Sequence, residues 1–446
     1  MTTTTRLKST VALVAIAAQL AAQIGPAAAF CGFYVAKADA KLFNRSSKVV
    51  LARDGQKTAI TMASDYEGEP KEFAVVVPVP TFIERKQIGV VDAKTIDHLD
   101  AYTAPRLVEY TDEDPCEIDK LRRMAAVAQM AAAPPRSAMS DATVYHGVTV
   151  EANYDVGEYD VSILSATQSD GLVNWLVDNG YRIPQGAEPV LASYIRQNMH
   201  FFVAKVNLGR MQLIGAGYLR PLQVRYETAK FMLPLRLGTV NANGPQDLIV
   251  YALSRNGRVE AANYRTVKLP TGVDVPLYVK DAFGSFYKAM FDKAVADQDM
   301  RTVFTEYAWD MGWCDPCASE PLSNKELVEL GARWIGSDAD TPYMAGRFGY
   351  GGTNAYVTRL HVRYDAAHFP EDLALLETHD RENFQGRYVL RHAWHGAASC
   401  QGALNYRAAL PARFAQEAKN LAALTGWTLA EIESRMAQSG EPIGAK

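Results

Sequence analysis

The sequence is poor in cysteine, has no excess of basic charge, and has no long apolar run past its first thirty or so residues. Five cysteines in 446 residues are too few to staple the fold in the manner of a small secreted scaffold. The formal charge of −4, from 46 basic against 50 acidic residues, leaves no cationic surplus to neutralise phosphates, so a nucleic-acid partner held by bulk electrostatics is excluded. Beyond residue 29 no stretch approaches the ~20 apolar residues that span a bilayer, and the closing EPIGAK carries no hydrophobic tail, so no integral membrane segment is expected. G-x-S-x-G, H-E-x-x-H and G-x-x-x-x-G-K-[ST] are all missing, which removes the hydrolase-elbow, zincin and P-loop templates. The eight histidines are scattered and define no catalytic triad.

What is present begins with an export pattern. Arg6 and Lys8 precede an apolar run, Thr10–Ala22, and then Pro26-Ala27-Ala28-Ala29, whose small residues suit a signal peptidase. Gln19 and Gln23 interrupt a segment already too short to anchor. Residues 1–29 are therefore expected to be a cleaved signal peptide. Cys31 is not expected to carry lipid, because Phe30 rather than a small residue precedes it. Losing Arg6 and Lys8 takes the net charge to −6. The expected product is soluble and exported, periplasmic or extracellular, with a partner in the envelope or outside it.

At roughly 100–200 residues per domain the chain has room for two or three domains. Ser47–Arg53 and Thr58–Ser64 flank Asp54-Gly55, a hairpin signal because both turn positions must tolerate positive φ. Glu72–Val79 is near-continuously apolar and reads as a third strand, completing a meander. Helices are expected over Asp92–Tyr102 and from the Asp114-Pro115 start to about Ala131. The Ala132–Ala142 stretch, rich in alanine and proline, is the expected linker. Further strands are expected at Glu158–Leu164, His200–Asn207, Pro221–Tyr226, Phe231–Leu237 and Leu248–Leu253, the last returning through Asn256-Gly257. Phe283, Phe286, Met290 and Ala294 share one helical face. Val303–Trp309 and Tyr356–Tyr364 alternate as strands, with a helix over Asn324–Trp334 between them. Thr428 and Glu431 form a capping box after Gly426. Strands arranged in hairpins rather than strand–helix alternation predict an α+β fold with mostly antiparallel sheets, flanking helices and a helical C-terminal end. The expected segments are 30–131, the linker 132–142, 143–300 and 301–446.

Several of these strings resemble a family of exported bacterial proteins defined as domain of unknown function 2330. They include VVLARDG (Val49–Gly55), EFAVVVPVP (Glu72–Pro80), HLDAYTAPRLVEY (His98–Tyr110), NWLVDNGYRIP (Asn174–Pro184), WCDPC (Trp313–Cys317) and YVTRLHVRYDAAHFPEDL (Tyr356–Leu373). The resemblance implies export and one family-wide unit. It implies no activity.

The chemistry on offer is sparse. Cys314 and Cys317 form a Trp-Cys-x-x-Cys string after a strand and before a helix, the local order of thiol–disulfide sites. Pro321 and Ser323 delay that helix, and in an oxidising compartment the ordinary reading is a structural disulfide, within the pair or to Cys400. A metal set joining the pair to His392 and His395 has a spacing far outside that of a finger, and Asp338 and Asp340 lack a calcium-loop pattern. No metal or cofactor is therefore expected. A Cys31–Cys116 disulfide would tie down the mature N-terminus, leaving Cys400 as a spare or resolving thiol. The Arg359, His361 and Arg363 side of the Tyr356–Tyr364 strand could receive an anion, although a solvated strand face is the plainer expectation. The leading expectation is a binding or envelope-associated structural protein rather than an enzyme, with a thiol–disulfide protein using Cys314 and Cys317 as the alternative.

Overall fold

The structure, a computed structural model, describes residues 33–36, 43–67, 73–117, 153–165, 169–178, 181, 183–184, 186–207, 209–210, 219–240, 242, 244–313, 315, 320–336 and 353–441. The expected signal segment, the expected 132–142 linker, Cys31, Cys314 and Cys317 lie outside them.

The Asp54-Gly55 turn forms as its residues predict. Strands β1 (Phe43–Asp54) and β2 (Lys57–Glu67) pair antiparallel up to Asp54 opposite Lys57. Gly55 takes a φ of 58°, a value that residues with a Cβ avoid. The hairpin lies inside a nine-stranded sheet with β3 (Ile88–Val90), β4 (Leu222–Glu227), β5 (Gln246–Ser254), β6 (Arg265–Lys268), β7 (Thr302–Asp310), β8 (Tyr356–Tyr364) and β9 (Phe384–Gln385). The order is β6-β7-β8-β5-β1-β2-β4-β3, with β9 added beside β7. Most pairings are antiparallel; β5 runs parallel to β1, and β6 to β7. The sheet thus draws strands from each of the three long segments of the chain.

The expected meander breaks at its third strand. Phe73–Val79 leaves the hairpin and pairs with Phe33–Ala36 and His200–Val206 in a second, five-stranded sheet. Its composition explains why. Val75, Val77 and Val79 enter the core shared with the large sheet, while Ala74 and Val76 enter a separate core under helices, so both faces are dry and both are apolar. The return strand after Asn256-Gly257 is displaced too. Both edges of β5 are already occupied, by β8 and β1, so Val259–Ala261 pairs with Leu373–Glu377 instead.

The helices are α1 (Ala93–Thr103), α2 (Ser169–Asp178), α3 (Ala187–Ile195), α4 (Arg236–Val240), α5 (Phe283–Asp297), α6 (Asn324–Glu329), α7 (Gln401–Thr425) and α8 (Leu429–Gln438). Asp92 caps α1 by accepting from the Lys94 N–H at 3.0 Å, and Thr428 caps α8 through the Glu431 N–H. Gly426, at φ 73°, ends α7. The expected helix over Asn324–Trp334 stops early. Gly331 has a φ of 107° and lies so close to the hairpin that a Cβ there would meet the Ala59 Cβ at 2.4 Å. The expected Phe231–Leu237 strand shrinks to Met232–Leu233, and α4 follows.

Three layers result. The large and small sheets pack face to face, Val49, Leu51, Ile60 and Met62 against Val77, Val161, Phe202 and Ala204. The far face of the large sheet is covered by α1 and α6, through Ile96, Leu99 and Leu327. Towards the β7 side, α5 packs Phe286, Met290 and Phe291 with Phe304, and the α7–α8 pair closes over them through Phe414, Leu421 and Ile432. Among the described residues no helix is long and apolar enough to cross a membrane.

Candidate functional site

Strand β8 alternates as its sequence predicts. Leu360, Val362 and Tyr364 face the core between the sheets, which turns Arg359, His361 and Arg363 to the other side. That side is not solvated. Helices α1 and α5 cover it, and Arg359 and His361 each keep only 7% of their surface exposed. Nor is it an open anion site, because every cation on it already faces a carboxylate brought from a neighbouring element.

The central carboxylate is Glu306, wholly buried on β7. The pairing of β7 with β8 shifts register between Thr305 and Tyr307, so Glu306 is the extra residue of a β-bulge, a device that re-aims a side chain. Arg359 Nε donates to Glu306 at 2.5 Å, and His361 Nδ1 lies 2.7 Å from the other carboxylate oxygen. The Tyr287 hydroxyl on α5 donates to that same oxygen. Asp100 of α1 takes a second Arg359 nitrogen, the Tyr251 hydroxyl at 2.6 Å and Lys48 at 2.8 Å. Arg363 grips Asp247 with two parallel bonds of 2.7 and 2.8 Å and reaches Asp292 at 2.6 Å. Four cations, counting a protonated His361, therefore meet four carboxylates.

The ionisation follows from the geometry. Burial pushes the Glu306 carboxyl up, but the charges of His361 and Arg359 outweigh it and hold Glu306 at about 2. Burial likewise opposes the charge on Asp100, and Arg359 with Lys48 brings it to about 2. For His361 burial favours the neutral ring, yet Glu306 and Asp247 raise its pKa above the ordinary imidazole value. The sequence carried one signal for this network, a glutamate inside the apolar strand TVFTEYAWD; a charge buried there requires a partner. Sealed beneath two helices, the cluster binds α1 and α5 to the sheet, and its shape suits a structural tie.

The cysteines pair differently from either expectation. Cys116 is bonded to Cys400, with Cα atoms 5.9 Å apart, so Cys116 does not serve Cys31, and Cys400 is neither a spare thiol nor the partner of Cys314. Asp114 starts the helical turn by accepting from the Cys116 N–H at 2.8 Å, and Cys400 is the N-cap of α7. Sequence distance hid the match. The two are 284 residues apart and meet because Arg106–Thr111 runs parallel to Arg387–His392 in a small sheet, delivering both chains to one corner. His392 bonds Glu109 at 2.7 Å there. Among the described residues no group of three or more histidine, cysteine, aspartate or glutamate side chains could hold a metal ion.

An accessible site lies on the other side of the molecule. The outer face of the small sheet and α2 enclose a groove of about 1160 Å³. Its polar side holds Asp155, Asp160 and Lys205, and Tyr154, Trp175 and Tyr181 supply aromatic surface. Asp160 is oriented by Asn207 at 3.2 Å and by Arg210. The hairpin carrying these residues is anchored by the wholly buried Glu158, which accepts from the Arg220 backbone at 2.6 Å and from its guanidinium at 2.8 and 3.0 Å. None of the sequence patterns pointed here, because the residues are ordinary in type and converge only through strand pairing.

A family model described as "uncharacterized protein conserved in bacteria", DUF2330, matches residues 25–376. The chain belongs to this family. The DUF2330 match takes in the hairpin, the groove and all eight members of the buried network, and it ends before Cys400, so the disulfide ties the matched region to the helices beyond it. No curated protein matches the chain. Among solved structures it is similar to a mutated baculovirus P35 after caspase cleavage, with a TM-score of 0.27 and 12% identity over 48% of this chain and 66% of that one. Baculovirus P35 itself gives a TM-score of 0.25 and 10% identity over 50% and 68%. At those TM-scores the likeness carries no argument about fold or function.

Proposed function

We propose that this DUF2330 protein is exported to the periplasm or beyond and acts by binding an envelope or extracellular partner in the groove beside α2, without catalysis. The observation that carries the reading is the contrast between the two polar regions. The network centred on the wholly buried Glu306 lies under helices, whereas the open groove combines aromatic faces with fixed hydrogen-bonding groups, the mixture that orients a polar ligand. The Cys116–Cys400 disulfide supports export, since such bonds persist in oxidising compartments.

The test is retention of cell-wall glycan fragments and of an extended-peptide library on immobilised protein, with Trp175→Ala and Asp160→Asn as variants. Retention by the native protein that both variants lose supports the groove. Equal retention by all three removes it. Fractionation of cells expressing the chain with and without residues 1–29 tests export separately.

A second reading keeps one observation in its favour. With Cys116 and Cys400 bonded to each other, Cys314 and Cys317 have only each other or Cys31 as partners within the chain. A pair that cycles near the potentials of known thiol exchangers supports a thiol–disulfide role; a pair that resists mild reduction, with Cys314→Ser costing only stability, ends it.

A further inference from the structure

A second cleft, of about 240 Å³, opens at the end of the β1–β2 hairpin. Its floor is made by the small residues Ala52 and Ala59, against which Gly331 packs. Three cations converge on it from three elements: Lys57 at the start of β2, Arg225 on β4, and Arg333 in the turn that follows α6. Trp334 supplies an aromatic wall.

Lys57, Arg225 and Arg333 have no ion-pair partner among the described residues, whereas the cations of the buried network are each met by a carboxylate. Arg225 spends one nitrogen on the Lys86 carbonyl. Of the two carboxylates at the cleft, Asp54 is engaged by Arg255 at 3.3 Å, and Glu227, opposite Lys57 across the strands, stays exposed. Arg255 also sits over the Trp334 ring at 5.9 Å, and the Trp334 N–H is fixed on the Asn354 carbonyl at 2.9 Å, so the ring is held in place. Burial, and then the charge of Arg333, lower the Arg225 pKa. Asp54 and Glu227 both stand opposite Lys57 across the strands, and bringing two guanidiniums together with no carboxylate bonded to either costs free energy that a bound anion recovers.

We propose that this cleft is an oxyanion site, taking a phosphoryl or carboxylate group between Arg225, Arg333 and Lys57, with the apolar part of the ligand against Trp334. The site stands apart from the α2 groove, and either can fail without the other.

Titration calorimetry at low ionic strength tests it, with inorganic phosphate and malonate as separate probes. Binding of phosphate alone assigns the site to phosphoryl groups and binding of malonate alone to carboxylates; binding of both supports the shared oxyanion chemistry. Arg333→Gln is expected to weaken binding about tenfold, the loss of one charge-assisted contact. Arg333 is exposed and makes no bond that holds the fold, so its unfolding midpoint should not move. Trp334→Phe should remove any fluorescence change that accompanies binding. Absence of heat with both probes at millimolar concentration overturns the proposal, as does an Arg333→Gln variant that binds like the native protein.

Discussion

Phe291 lies flat on His361, with ring centroids 3.6 Å apart and planes within 9° of parallel. The same phenyl ring carries the Arg363 guanidinium 5.1 Å above it. One apolar residue of α5 thus lids two cations of β8, and the carboxylates reach them from the sides. The arrangement makes charge pairing and helix docking a single event.

Glu306→Gln is expected to lower the unfolding free energy by about 3–5 kcal/mol, because it removes the buried charge that Arg359 and His361 share and leaves them only Asp100 and the more distant Asp247. Urea denaturation measures it. A loss below about 1 kcal/mol would mean that the network relaxes or hydrates when cut.

The pH dependence has two limbs with opposite signs. Glu306 is held low, so its contribution is complete above the ordinary carboxylate range and is lost as pH falls towards about 2. His361 is held high, so its contribution is complete below the ordinary imidazole value and fades as pH rises through the folded pKa. The urea midpoint of the native protein should fall on both sides. His361→Phe should flatten the alkaline limb and leave the acid limb in place; an unchanged alkaline limb would assign that loss to another group.

A third expectation concerns α7. Glu417 is 2% exposed, close to the equally buried Glu441, and burial together with the Glu441 charge pushes its carboxyl up to about 8. The stability linked to its proton is whole in the acid range and is lost as pH rises through about 8. Glu417→Gln should therefore stabilise the protein by about 1–3 kcal/mol above that pH and change little near pH 5. Thermal melts at the two pH values decide it.

Breaking the disulfide by Cys400→Ser should cost about 2–4 kcal/mol, against roughly 5.6 kcal/mol from loop-closure entropy alone for residues 284 apart. Melting the native protein with and without reductant should show a shift of at least that size, and Cys116→Ser should match Cys400→Ser.

What the sequence made legible is local. The Asp54-Gly55 turn, the Thr428 cap, the Gly426 stop and the alternation of Tyr356–Tyr364 each depend on a few adjacent residues, and each forms. The errors come where a distant element decides. Nothing within Tyr356–Tyr364 says that α1 and α5 will lie over Arg359 and His361. Nothing near Phe73–Val79 says which sheet it joins, although its two apolar faces demand cover on both sides. The groove and the oxyanion cleft are further still from local pattern, since each is assembled from strands and turns remote in sequence.

The Cys116–Cys400 bond has a consequence for how the protein comes apart. Any single cut between those residues, including cuts anywhere in 118–152, leaves two polypeptides that remain covalently one molecule. A nicked protein would migrate as a single species on a non-reducing gel and separate into fragments only when a thiol is added. Much of the nine-stranded sheet is contained in that loop, with both ends of the loop fastened at one corner. Proteolysis would therefore open the chain without dispersing it.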